Sequence, residues 1–280
     1  MLKVKDVIEK GNTGLVRGLS LQIIAVMNSI SPNILVDISD LNIDVTGNQI
    51  NPFVQPAAKE SLRLALKQRG TKLVVNSVYR TVAQQYLLRK QFERKLFGIT
   101  AAALPGSSNH ESGLALDIED ADGWERFFQP HNWIRLGRDF DFPHYDYRLP
   151  GATKRNLGKI GISAFQRLWN QYNPHDLIAE DGSFGPQTEA RLANSPVDGF
   201  KLLFPRTLRL QSPLLQGDDV TKVQEALLRA EITQINLQVT GIFDSETEQA
   251  VKQFQAATQK LAVDGIVGPM TLQELGLEND

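Results

Sequence analysis

The 280-residue chain contains no cysteine. That absence removes disulfides, thiolate catalysis and cysteine-ligated zinc together. Any metal site must be built from histidine and carboxylates, and histidine is scarce: His110, His131, His144 and His175 are the four. Neither sign of charge is in excess, with 30 basic against 32 acidic side chains and a net charge of -2. Nucleic acid and anionic membranes therefore have no electrostatic reason to be partners. Long apolar runs are missing too. The most apolar stretch, residues 19–27, is broken by Ser20 and Gln22 and lacks a small-residue cleavage site. It reads as an amphipathic helix, so neither a membrane span nor an export signal is expected from it.

What is present is the composition of a globular protein, 41% hydrophobic and 22% charged. The length exceeds what one compact core usually holds, which points to two domains or one with a large appendage. ILVDIS (34–39), KLVVNSVY (72–79), GLALDIE (113–119) and PHYDY (143–147) read as strands. Ala57–Arg69, closing at Gly70, reads as a helix, as do TVAQQYLLRKQFERKLFG and the run around WERFF. These elements mix without regular βαβ alternation. The expected class is α+β, a small antiparallel sheet with flanking helices.

After about residue 157 the pattern becomes helical and repeats itself. Residues 165–192 contain FQ and then DGSFGPQTEARL, residues 254–275 contain FQ and then DGIVGPMTLQEL, and a weaker relative, TGIFDSETEQAV, occupies 240–251. Repetition of this kind outranks any single motif. Asp-Gly makes a tight turn, the second glycine ends the loop, and Pro186 or Pro269 fits a first helical turn, where its missing N–H costs little. In the middle copy Ser245 with Glu248 is expected to form a capping box. The stretch 195–213, with three prolines, reads as a linker. The expected division is a first domain over 1–156, a partial repeat and linker over 157–205, and an all-α three-helix module over 206–280.

The chemistry concentrates in SSNHESGLALDIED, residues 107–120. A separation of seven places His110 and Asp117 neither on one helix face nor on one face of a continuous strand. A loop followed by a strand does bring them together: Leu114, Leu116 and Ile118 face the core, Ala115 and Asp117 face the other way, and Gly113 frees the turn. His144 is then the best third ligand. Two histidines and one carboxylate leave an open position for water, which is the catalytic rather than the structural zinc pattern. Asp141, three residues earlier, is placed to act as general base. His-Glu at 110–111 is not a gluzincin motif, because residue 114 is Leu. DIEDADG fails as a calcium loop, because alignment on Gly123 puts Ile118 and Gln129 at ligand positions. His131 and His175 sit in turn-like contexts and read as structural.

The pattern Ser-x-His-x-x-Gly-x-Ala-x-Asp over Ser108–Asp117, with a later acid-x-x-His, resembles the VanX and VanY type of zinc peptidase, the D-alanyl-D-alanine carboxypeptidase family. NSVYRTVAQQ (76–85) is similar to that family's S-x-Y-R-[ST] segment, and the likeness spans roughly 50–150. The resemblance implies that His110, Asp117 and His144 bind Zn²⁺ and that Arg80 holds substrate and stabilises the developing oxyanion. It also implies that Ser108 lies beside the substrate; a loop-capping hydroxyl is the alternative. Many D,D-carboxypeptidases of the family have Glu where Asp141 stands, and the shorter acid is similar to the L-alanyl-D-glutamate endopeptidase branch. Asp141 could instead orient His144. Residues 213–277 resemble a peptidoglycan-binding domain, with 158–195 a partial unit. The implied function is zinc-dependent hydrolysis of stem-peptide bonds by a monomer tethered to peptidoglycan, in the periplasm or cell wall. A second reading is a non-catalytic peptidoglycan-binding protein with a vestigial metal site. A phage-type endolysin would share the chemistry and need no export signal.

Overall fold

The computed structural model describes residues 2–135, 137, 142–148, 154–173, 176–200, 206–230 and 236–277. Two of the residues considered above, Asp141 and His175, lie outside them. The chain divides into two compact units, Met1–Phe200 and Lys201–Asp280.

The first unit is built around a five-stranded sheet. In chain order its helices are α1 (Arg17–Ile30), α2 (Pro56–Arg69), α3 (Val82–Glu93), α4 (Ala121–Phe128), α5 (Lys154–Tyr172) and α6 (Pro186–Asn194). Its strands are β1 (Val36–Asp37), β2 (Ile43–Val45), β3 (Phe53–Val54), β4 (Leu73–Ser77), β5 (Ala115–Ile118), β6 (Trp133–Arg135) and β7 (His144–Tyr147). The sheet order is β2-β4-β5-β7-β6, while β1 and β3 pair separately. All neighbours in the large sheet run antiparallel except the outer β2, which is parallel to β4, so the sheet is mixed. Of ILVDIS only Val36 and Asp37 form a strand.

Local chemistry sets the helix ends. Pro56 begins α2 and Gly70, at φ 72°, ends it. Thr81 and Gln84 exchange hydrogen bonds across the first turn of α3, each satisfying a backbone N–H that the helix leaves unpaired. The acidic run at 120–122 is likewise structural: Asp120 caps α4 and pairs with Arg69, and Asp122 pairs with Arg135.

One face of the sheet packs against α2 and α4 through Leu62, Leu73, Leu116, Trp124, Phe128 and Tyr145. A second core joins α1, α3, α5 and α6 through Leu19, Ile23, Met27, Leu87, Phe165, Leu168 and Leu192. The stretch Thr13–Ile30 is apolar and long enough to cross a membrane by length and composition alone. Leu19, Ile23, Ile24 and Met27 within it nonetheless belong to this core.

Residues 157–200, set apart in the sequence as a partial repeat, share that second core. Backbone hydrogen bonds tie their end to the N-terminal segment, from Val4 N to Ser195 O (3.0 Å), Val197 N to Leu2 O (3.0 Å) and Leu19 N to Val197 O (3.2 Å). A helix pair cannot bury its apolar faces alone. Here α1 supplies the missing partner.

The second unit contains α7 (Asp218–Arg229), α8 (Ser245–Thr258) and α9 (Pro269–Glu274) around Val223, Leu227, Phe243, Val251 and Phe254. The repeated phrase has one structural meaning in all three copies. A buried glutamine, Gln166, Gln224 or Gln255, sits on the leading helix and crosslinks the following loop. Its amide oxygen accepts from the backbone N–H of Gly182, Gly241 or Gly265 (2.8–2.9 Å). Its Nε2 donates to the carbonyl of Ser183, Ile242 or Ile266 and to the hydroxyl of Thr188, Thr247 or Thr271. Each of the three glycines has φ between 68° and 74°, which strains any residue with a Cβ. In the middle copy the cap is Asp244, which accepts from Thr247 N (2.8 Å), and Ser245 is the first helical residue. Asp244 thus occupies the position of Gly185 and Gly268, one residue before the capping box expected from Ser245.

Replacing Gln255 by Leu keeps the volume but strands the Gly265 N–H and the Ile266 carbonyl. We expect a loss of about 3 kcal/mol in the second unit, from about 1–3 kcal/mol per buried group left unpaired. Urea denaturation followed by circular dichroism measures it.

Candidate metal centre

The site lies on the sheet face opposite α2 and α4. Strand alternation explains the placement. On β7, Tyr145 and Tyr147 enter the core, so His144 and Asp146 point the other way. In the antiparallel β5–β7 ladder Asp117 is the partner of His144, and Ala115 is the partner of Asp146. Directly opposed residues share a face, which sets Asp117 beside His144. A register shift in β4, between Val75 and Ser77, then places Ser77 opposite Asp117.

His110 arrives from a 3₁₀ turn, Asn109–Ser112. Ser108 caps the turn, its hydroxyl accepting from His110 N (3.3 Å). The buried carboxylate of Glu111 accepts from Gly106 N (2.8 Å) and Ser108 N (3.1 Å). Gly113, at φ 66°, closes the turn where a Cβ would meet Leu35 Cδ2 at 2.7 Å. Arg80 N donates to the His110 carbonyl (3.2 Å) and locks the turn onto the end of β4.

These elements bring His110, Asp117 and His144 to one point, with one donor atom from each within 4.8 Å of the others. His110 Nε2 is 3.3 Å from Asp117 Oδ2, and His144 Nδ1 is 2.9 Å from Asp117 Oδ1. Bond lengths of about 2.0–2.1 Å around a tetrahedral zinc put neighbouring ligand atoms about 3.3 Å apart. The two distances to Asp117 lie near that value, so the three groups could hold a small divalent cation.

Hydrogen bonds on the far side of each ring decide which nitrogen faces the cluster. His110 Nδ1 is 2.7 Å from the Val78 carbonyl, which can only accept, so this nitrogen carries the proton and Nε2 turns a lone pair inwards. His144 does the reverse: Nε2 meets the Asp146 carboxylate at 3.0 Å and Nδ1 faces Asp117. Electron-rich atoms thus converge, and a cation relieves them. In metal-free protein protons serve instead. Burial opposes charge on His144, but Asp117 and Asp146 outweigh it and raise its pKa to about 9. Burial likewise opposes ionisation of Asp117, yet His110 and His144 hold its carboxyl well below the usual range.

Over the cluster opens a cavity of about 670 Å³, within the range of ligand pockets. Arg80 and Ser108 line it beside the two histidines and Asp117, and Arg89 and Phe92 of α3 form part of its wall. The Arg80 guanidinium is braced by the Gln85 side chain (3.0 Å) and the Ser77 hydroxyl (3.4 Å). Ser108 both caps its turn and lines the cavity. His131 lies elsewhere, its ring against Gln68 (3.1 Å).

Two functional neighbours escaped the sequence reading. Glu111 completes a Ser-x-x-Glu capping signature with Ser108, which was visible in the sequence. Asp146 follows His144 by two, and strand alternation alone puts it on the same face.

The pH dependence of metal-free protein follows from the two shifts. His144 holds its proton more tightly folded than unfolded, so its contribution is complete below about 6.5 and lost as pH rises through about 9. Asp117 contributes above the ordinary carboxyl value of 3.8, and its stabilisation is lost as pH falls below it. With chelator present, the difference in urea midpoint between wild type and His144→Gln is expected to shrink between pH 6.5 and 9.5.

Residues 48–138 match the family model described as D-alanyl-D-alanine carboxypeptidase, VanY. Residues 216–275 match the one described as putative peptidoglycan binding domain. No curated protein and no solved structure matches the chain significantly. Arg80, Ser108, His110 and Asp117 fall inside the first match, and His144 follows its end. The chain thus carries a region that matches the VanY carboxypeptidase model followed by one that matches the peptidoglycan-binding model, a combination that supports a peptidase acting on peptidoglycan.

Proposed function

We propose that the protein is a zinc-dependent hydrolase of peptide bonds in peptidoglycan stem peptides, of D-Ala-D-Ala carboxypeptidase or L-Ala-D-Glu endopeptidase type. The carrying observation is the convergence of His110 Nε2, Asp117 and His144 Nδ1 beneath a cavity that also contains Arg80. Three protein ligands of this kind suit a catalytic zinc. When bound, Zn²⁺ supplies a water of lowered pKa and polarises the scissile carbonyl.

The chain's own residues do the rest. Arg80, braced by Gln85 and Ser77, offers a fixed guanidinium to the peptide and to the oxygen that gains charge as the carbonyl becomes tetrahedral. Ser108 presents its hydroxyl at the cavity wall. Asp141, three residues before His144, is assigned the proton acceptor for the attacking water. The second unit tethers the enzyme to the wall and raises the local concentration of stem peptides. Its action therefore belongs in the periplasm or cell wall.

Mass spectrometry of purified peptidoglycan fragments tests the reading. The expected result is loss of a terminal D-Ala, or a cut within the stem, abolished by chelator and restored by Zn²⁺. His110→Ala is expected to lower kcat/KM by at least about a thousandfold, on the order of removing a catalytic group. Unchanged fragment masses with retained binding to sacculi would favour a non-catalytic wall-binding protein.

Deleting residues 206–280 separates the two roles. The shortened protein is expected to cleave small soluble stem peptides at near wild-type rate but to lose co-sedimentation with sacculi.

A further inference from the structure

We propose that Asn109 and Asp146 form a positioning pair that orients both histidines of the centre: Asp146 holds the His144 ring with Nδ1 towards the site, and Asn109 ties that carboxylate to the turn bearing His110. The inference rests on the proposed function only in taking His110, Asp117 and His144 as metal ligands.

Asp146 is a carboxylate at 2% exposure on the site face of β7. Its Oδ1 lies 3.0 Å from His144 Nε2, and Asn109 Nδ2 lies 2.9 Å from both of its oxygens. Arg148, more than half exposed, approaches Oδ2 only to 3.8 Å. Ala115, opposite Asp146 on β5, is too small to contact the ring in its place.

The chemistry explains why a carboxylate stands here. An imidazole can turn over about its Cβ–Cγ bond or carry its proton on either nitrogen, and only one state offers Nδ1 to a metal. An acceptor fixed at Nε2 selects that state. For His110 a backbone carbonyl does this work, but that carbonyl belongs to the segment beside its own turn and cannot coordinate the second histidine. Asp146 has lone pairs to spare, so it also receives the Asn109 amide. Asn109 directly precedes His110. One side chain thereby sets the His144 ring and links strand β7 to the His110 turn, making the separation of the two rings a property of the pair. Partners of this kind change metal affinity by about 10–100-fold when removed.

Zinc affinity, measured by competition with a chromophoric chelator, tests the pair without any substrate. Asp146→Ala is expected to bind zinc about 10–100-fold more weakly than wild type, and Asn109→Ala several-fold more weakly. Asp146→Asn keeps an acceptor for His144 and should fall between wild type and Asp146→Ala; it also provides the measurement if Asp146→Ala does not fold. Nitrogen-15 spectra of the His144 ring in the zinc-loaded proteins should show protonation on Nε2 in wild type and loss of that single state in Asp146→Ala. Wild-type zinc affinity in both Asp146 variants would overturn the pair. If wild type and His110→Ala bind zinc equally, the three-ligand centre falls and the pair with it. If the zinc results hold but no stem peptide is cleaved, the peptidase reading fails and the pair stands.

Discussion

The antiparallel register of β5 against β7 is the constraint on which the centre depends. It sets Asp117 opposite His144 on the face that the core residues Leu116 and Tyr145 leave. A slip of one residue in either strand would set a core residue opposite the remaining ligand and turn the other ligand into the core. Everything else at the site brings His110 to that point: the positive φ of Gly113, the Glu111 carboxylate holding the loop ahead of it, and the Val78 carbonyl behind the ring.

Concentrating electron-rich atoms in this way has a cost that the fold meets by surrounding them. Each histidine has an acceptor on its outer nitrogen, so its inner nitrogen is committed to the cluster. The two rings use opposite nitrogens, Nε2 from the turn and Nδ1 from the strand. That difference follows from their supports, the Val78 carbonyl on Nδ1 of His110 and the Asp146 carboxylate on Nε2 of His144. The same convergence that holds protons in the metal-free protein gives three atoms that could hold a divalent cation.

The three glutamine crosslinks show one solution used in two settings. Gln224 and Gln255 hold the loops of the peptidoglycan-binding domain, where α7, α8 and α9 share a core. Gln166 holds an equivalent loop between α5 and α6, but those helices find their partner in α1. Helix α5 also packs behind the metal-site loop: a Cβ on Gly158 would lie 2.3 Å from the Gly106 carbonyl. The first copy therefore belongs mechanically to the first unit while keeping the local chemistry of the repeat.

Much of this was legible in the chain itself wherever the relevant contacts are local. The glycine that ends α2, the turn glycines of the repeats, the strand around Asp117 and the candidacy of His110, Asp117 and His144 follow from spacing and residue type. Asp244 rather than Ser245 as the cap of α8 was a one-residue misreading of a local signal. Tertiary structure decided what sequence separation hides. The parallel pairing of β2, the packing of 157–200 on α1, and the hydrogen bonds from Asp146 to His144 and Asn109 join residues whose meeting depends on register and on which face is left after the core is filled. Residue type states what a side chain can do. Only the folded sheet decides which side chains stand close enough to do it together.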